Sequence, residues 1–171
     1  MVRARIDAPD GRSRWQWWAA RADARLAFRT TAVYGERTDE IARRLDLVLD
    51  GADVLVVQGG INDLVQGRLL EEAALNIAAM LERGRAAGLA LAVADVLPWN
   101  NGDARTAEDI RSLNALLGDL STTLLPFHDT LADPGEPARM GAGLTDDGDH
   151  PSIEGHRLLG ERAFRLPPLD L

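Results

Sequence analysis

Two side chains able to move a proton stand three positions apart in the stretch Leu144 to His156, LTDDGDHPSIEGH. Asp147 precedes His150 on a glycine-containing turn, and Pro151-Ser152 leads from that turn into a segment of helical pattern. An imidazole becomes a useful proton acceptor when a neighbour fixes its tautomer and steadies the imidazolium, and a carboxylate one short turn away can do both. The pair reads as a general base with its orienting acid. A nucleophile must come from elsewhere in the chain.

Composition narrows where to look. With 171 residues, 46% of them apolar, the chain can bury one sizeable core and is read as a single domain over residues 1–171. A formal charge of −8 and a pI near 4.8 weigh against nucleic acid or an anionic membrane as partner, since both would be repelled at long range. There is no cysteine, so neither disulfides nor a thiolate metal site can form. No apolar run approaches the ~20 residues that span a bilayer. The N-terminus MVRARIDAPDG has no apolar h-region, and the expected location is the cytoplasm.

The elements that would position the pair follow from periodicity. Residues 1–14 are irregular: Val2 to Ile6 alternates apolar and basic residues, and Asp7 to Arg14 is a Pro/Gly loop. Trp15, Trp18, Ala19 and Ala22 predict a short helix with its tryptophans inward. Leu26 to Val33 predicts a strand ending at Tyr34-Gly35, and Thr38 starts a helix whose stripe is Ile41, Leu45, Val48 and Leu49. The continuous apolar run Val54 to Val57 predicts a strand covered on both faces, discharging into Gln58-Gly59-Gly60-Ile61-Asn62-Asp63. A helix with Leu70, Ala74, Ile77 and Leu81 on one stripe follows, then a strand from Leu89 to Leu97 ending in Pro98-Trp99-Asn100. Thr106 with Asp109 resembles a capping box ahead of a further helix, and Thr123 to Phe127 predicts the last strand, at an edge because of Pro126. Ala132 to Gly143 is an irregular loop expected to act as a flap.

This alternation predicts a parallel sheet with helices on both faces, whose ligand lies beyond the carboxyl ends of the strands. The turns after Val33, Val57, Leu97 and Phe127 share that rim, and the turn holding Asp147 and His150 can reach it.

Three stretches in order, Tyr34-Gly35-Glu36-Arg37-Thr38, Gly60-Ile61-Asn62-Asp63 and Asp147-Gly148-Asp149-His150-Pro151, resemble the second, third and fifth blocks of the SGNH hydrolases, also called GDSL esterases and lipases. The resemblance covers residues 15 to about 165. It implies a three-layer α/β/α sandwich with a parallel, flavodoxin-like sheet. It also implies a carboxylic-ester hydrolase that works through a serine acyl-enzyme, with no metal and no organic cofactor. His150 would be the base and Asp147 its orienting carboxylate. Gly35, through its backbone N–H, and Asn62, through its side-chain amide, would serve the oxyanion, where a fixed donor contributes roughly 3–4 kcal/mol. Trp99 and Asn100 are the expected substrate contacts, and a small-molecule ester the expected partner.

Taken singly, each residue has a plainer reading. Gly35 is then a turn glycine, Asn62 and Asp63 cap the segment after their strand, and Asp146, Asp147 and Asp149 form a solvated acidic loop or hold a divalent cation. His128 and His156 are read as structural or exposed.

The chain departs from the family twice. Asp149 stands where these enzymes usually carry an apolar residue. The first block, a buried strand ending in Gly-Asp-Ser-Leu, has no clear counterpart, so the first strand is missing or degenerate. Three accounts of the serine follow. The native product continues upstream of Met1, as suggested by Arg14-Trp15 resembling the helix that follows the serine loop. Or Gly11-Arg12-Ser13 stands in for the motif. Or Asp7-Ala8 occupies it with alanine, leaving a catalytically inactive binding relative. In the family's sheet the first strand separates the second and third, so either Val2 to Ile6 fills that slot imperfectly or another chain closes the gap in an oligomer.

Overall fold

The computed structural model describes residues 11–170. Val2 to Ile6 and Asp7-Ala8 lie outside them. Among the described residues three parallel strands, β1 (Val54–Gln58), β2 (Ala90–Ala94) and β3 (Thr123–Leu125), form a sheet in the order β1-β2-β3, with Val54 opposite Ala90 and Ala92 opposite Thr123. β3 takes the edge that Pro126 predicted, since a residue without an N–H cannot continue a ladder. Its strand stops at Leu125, and Pro126 caps a short helix, α7 (Phe127–Leu131), where the sequence pattern had continued the strand.

Eight helices among the described residues flank the sheet. On one face, α5 (Leu70–Ala86) and α6 (Ala104–Gly118) cover Leu55, Val57 and Val93 with Ile77, Met80, Leu81, Ile110, Leu113 and Leu117. α2 (Thr38–Arg43) and α3 (Asp46–Leu49) extend that layer. On the other face, α1 (Trp15–Ala22) and α8 (Ile153–Ala163) pack together and cover Ala92, Ala94 and Leu125 through Trp15, Ala19, Leu159 and Ala163. Burial alternates along β1 because successive side chains serve opposite layers. The result is the three-layer α/β/α architecture.

Three expectations are corrected. Residues 26–33 are not assigned as a strand: Leu26 is buried and Phe28 stacks edge-on against Trp15 at 5.4 Å, but among the described residues no ladder forms there. A strand exists through its neighbour's hydrogen bonds, and the neighbour expected for this one, Val2 to Ile6, is outside the described residues. The helix from Thr38 to Leu49 is two helices, because Arg44 leaves helical geometry at φ −107°, ψ 6°. Its guanidinium reaches back to the Thr31 carbonyl and to Glu36. The cap of α6 is Asp103, whose Oδ1 accepts from Thr106 N at 2.8 Å and Thr106 Oγ1 at 2.9 Å, so the helix begins two residues before Thr106.

Candidate active site

Sheet geometry places the ends of β1 and β2 on one rim. After Gln58 the chain turns through Gly60, whose φ of +120° and whose 2.8 Å approach from a would-be Cβ to Leu113 Cδ2 both require glycine. α4 (Ile61–Val65) starts at once, and Asn62 sits in its first turn. The cap position is Gly60, with no side-chain cap bond, so Asn62 and Asp63 are free for other partners.

Asn62 Nδ2 donates to the Glu36 carbonyl at 2.9 Å, and Gln66 Nε2 donates to the Gly35 carbonyl at 2.9 Å. These bonds fasten the Gly35 turn to α4. Gly35 has φ +78°, while a Cβ there would meet nothing within 4 Å, so backbone conformation rather than space calls for glycine. Beneath the turn, Asp63 is buried and accepts from Thr38 N at 2.9 Å and Thr38 Oγ1 at 2.7 Å. Asn76 Nδ2 in turn donates to Thr38 Oγ1 at 3.0 Å. A fully satisfied buried network of this kind holds one geometry, because every alternative strands a polar group. Gly35 and Asn62 are thus brought together.

Asp147 and His150 form the expected pair. Asp147 Oδ2 lies 2.9 Å from His150 Nδ1, and Oδ1 accepts the backbone N–H of Asp149 at 2.9 Å and of His150 at 2.8 Å. Partial burial opposes ionisation of Asp147, but the hydrogen bonds from His150 and Asp149 outweigh it and hold the carboxyl well below the usual carboxylate range. An ionised Asp147 fixes the proton of a neutral His150 on Nδ1 and turns Nε2 outward as the acceptor. The Tyr34 ring stands 6.0 Å from the His150 ring, so the turn bearing Gly35 and the loop bearing His150 meet.

A cleft of about 90 Å³ lies beside this region, lined by Gln58, Gly59, Ile61, Asp95, Trp99 and Asp149 among others. Trp99 lines it, and its indole N–H donates to Asp149 at 2.5 Å. Asn100 is occupied otherwise. Its Oδ1 accepts from Met140 N at 2.7 Å, and its N–H donates to the Gly148 carbonyl at 3.0 Å. It thereby pins the loop 132–143, which closes on itself through the Ala132–Met140 bridge.

Asp95, one residue beyond β2, is a feature the sequence did not flag. It is buried and accepts from His128 N at 2.6 Å. Burial pushes its carboxyl up to about 7, the His128 N–H opposing and the nearby charge of Asp129 adding to the shift. Next to it the backbone of Val96 pairs with a side chain instead of a strand: its N–H donates to Asn114 Oδ1 at 2.7 Å, and its carbonyl accepts from Asn114 Nδ2 at 2.8 Å.

His128 lines a neighbouring cavity of about 350 Å³ with apolar walls. His156 is largely buried, and burial first, then the charge of His150, lowers it to about 4. Ser13 lies in the turn before α1, and among the described residues no serine hydrogen-bonds to His150. Asp147 and Asp149 engage different partners, and among the described residues no three His, Asp or Glu side chains are grouped to hold a metal ion.

A parallel sheet between two helical layers, with a His–Asp pair on a loop beside its carboxyl rim, defines the class as α/β/α. The chain belongs to the GDSL-like lipase/acylhydrolase family, whose profile matches residues 4–158. Among solved structures it is similar to a GDSL-like lipase from Bacteroides thetaiotaomicron (TM-score 0.78, 19% identity, 91% of this chain and 81% of that one covered). It is also similar to the lipase Lip_vut3 from a goat rumen metagenome (0.76, 17%, 89% and 86%) and to the psychrotrophic esterase EstA from Pseudoalteromonas sp. (0.70, 19%, 91% and 86%). At these identities the likeness shows the fold. No curated protein matches the chain significantly. No described helix is long and apolar enough to cross a membrane.

Proposed function

We propose that the chain hydrolyses small carboxylic esters through a serine acyl-enzyme. The observation that carries this reading is the 2.9 Å contact between Asp147 Oδ2 and His150 Nδ1, with the other carboxylate oxygen tied down by two backbone N–H groups. In this reading His150 Nε2 takes the proton as a serine Oγ bonds to the ester carbonyl carbon, and returns it to the departing alkoxide. Water then repeats the step and frees the acid. Gly35 N–H and Asn62 Nδ2 receive the oxyanion, and the fit is favourable because the Asn62 amide has a second N–H beyond the one given to Glu36. By the family resemblance the nucleophile belongs to the first block, ahead of α1, for which Ser13 is one candidate among the described residues.

The test is hydrolysis of a short-chain nitrophenyl ester. His150→Ala is expected to lower kcat by about 10³-fold or more, as removal of a general base does. A serine-directed phosphonate should abolish activity; the solved Pseudoalteromonas EstA structure is of a form inhibited by monoethylphosphonate. Ser13→Ala separates Ser13 from a serine elsewhere. Binding without turnover would overturn the reading in favour of an inactive ligand-binding relative, and loss of activity on chelation would overturn it in favour of metal-assisted hydrolysis.

A further inference from the structure

The loop that carries Asp147 and His150 is exposed, and Asp149, which is outside that pair, takes part in attaching it to the rim. Asp149 Oδ1 accepts from Trp99 Nε1 at 2.5 Å and from Asn101 Nδ2 at 2.6 Å. The same Asn101 amide donates to the Asp147 carbonyl at 2.9 Å, and Asn100 N donates to the Gly148 carbonyl at 3.0 Å. Three consecutive residues of the turn after β2 thus grip three consecutive residues of the catalytic loop. The contact is close: a Cβ on Gly148, which has φ +82°, would stand 2.6 Å from Asn101 Oδ1. Asp149 N–H in turn donates to Asp147 Oδ1, so the gripped residue is itself bonded to the acid that orients His150. Hydrogen bonds to an ionised acceptor are the stronger kind, and two donors converging on one oxygen fix direction as well as distance.

We propose that Asp149 is a positioning residue, its carboxylate held by Trp99 and Asn101 so that the Asp147–His150 loop is registered against the end of β2. The role rests on the hydrolase reading for its effect on turnover, but not for its effect on the loop. The loop is thus fastened by a polar clamp. The Trp99 ring, which lines the cleft, is aimed by the same bond, so loop register and cleft wall are set together.

Two measurements on the full chain test this. In the first, kcat and KM on nitrophenyl acetate are compared for the parent, Asp149→Ala, Asp149→Asn and Asn101→Ala. Loss of the hold misplaces the base, and kcat should fall about 10-fold with KM within about 2-fold for Asp149→Ala and Asn101→Ala. Asp149→Asn keeps an oxygen acceptor and should recover to within about 3-fold of the parent. A merely structural site would show no such rescue ordered by acceptor chemistry. In the second, NMR follows the His150 Nδ1 proton, whose downfield signal reports the bond to Asp147. It should persist in the parent and Asp149→Asn and broaden or vanish in Asp149→Ala. Unchanged kcat in Asp149→Ala, or equal losses in the Ala and Asn variants, overturns the proposal. If the parent hydrolyses no ester, the hydrolase reading fails and the NMR comparison alone decides: an Nδ1 signal identical in all chains overturns the positioning role.

Discussion

In the proposed reading Asn62 and His150 serve the same carbonyl group, yet the chain holds them by opposite means. Asn62 stands on a helix turn above a buried network, Asp63 to Thr38 to Asn76, in which Thr38 is fully buried and Asp63 is 2% exposed. His150 stands on an exposed loop, its ring and the Asp147 side chain roughly half accessible, held by surface hydrogen bonds. The contrast suits the two tasks. Oxyanion donors act by being fixed before charge arrives, and rigidity is obtained from a buried network. A base must exchange its proton with an attacking group, a leaving group and water, which needs access.

Substitutions that separate activity from stability put this contrast at risk, and the largest effect belongs to the exposed half. Asp147→Asn keeps an oxygen for the backbone N–H groups but can present an N–H to His150 Nδ1, favouring the wrong tautomer. kcat is expected to fall by about 10³–10⁴-fold, with a smaller loss of stability from the bonds that favour the ionised carboxyl in the folded loop. A large loss of stability would show that the loop is part of the fold's support. Asn62→Ala comes next, lowering kcat by about 10²-fold or more with little change in KM.

Asp63→Ala should do both kinds of damage. Thr38 N–H and Oγ1–H lose their acceptor in a buried place, at about 1–3 kcal/mol each, and the Gly35 turn loosens, so both the midpoint in urea and the kcat of the folded fraction should fall. Intact kcat in the folded variant would mean that the buried network supports the fold without aiming the donors.

The smallest effect is a pH lever between the halves. Asp95, raised to about 7 from 3.8, binds its proton more tightly folded than unfolded, so its contribution to stability is full below about pH 4 and is lost as pH climbs to 7. Asp95→Asn retains an acceptor for His128 N and removes that loss. Its Tm should match the parent near pH 4 and exceed it at pH 8, with the gap opening between those two values. His156, lowered to about 4, destabilises in the opposite sense as pH falls below 6.5, but it does so in both chains and drops out of the difference.

What could be read from residues alone follows the same division. The helices at Leu70 and Ile110 and the strands at Val54 and Leu91 announce themselves because their apolar periods answer to one large core. Asp147 and His150 are legible because their partnership is local, three residues apart. Asp63 with Thr38 is not, since the bond spans 25 residues and nothing in either residue's surroundings marks it. Asp149 reads as one more acid in an acidic loop until Trp99, 50 residues away, is seen to donate to it. Residues 26–33 mislead for a related reason. Their pattern suits a strand, but a strand is a relation between two segments and a pattern describes one.

Asn114 carries a consequence beyond its own helix. Where β2 ends, a carboxamide borne on α6 takes the place of a neighbouring peptide unit and pairs with both backbone groups of Val96. The last step of the sheet is therefore written in a side chain, which can be exchanged without rebuilding a strand. The segment from Asp95 to Trp99 that lines the cleft is hung from α6, and the seat of Asn114 on that helix sets where the segment lies.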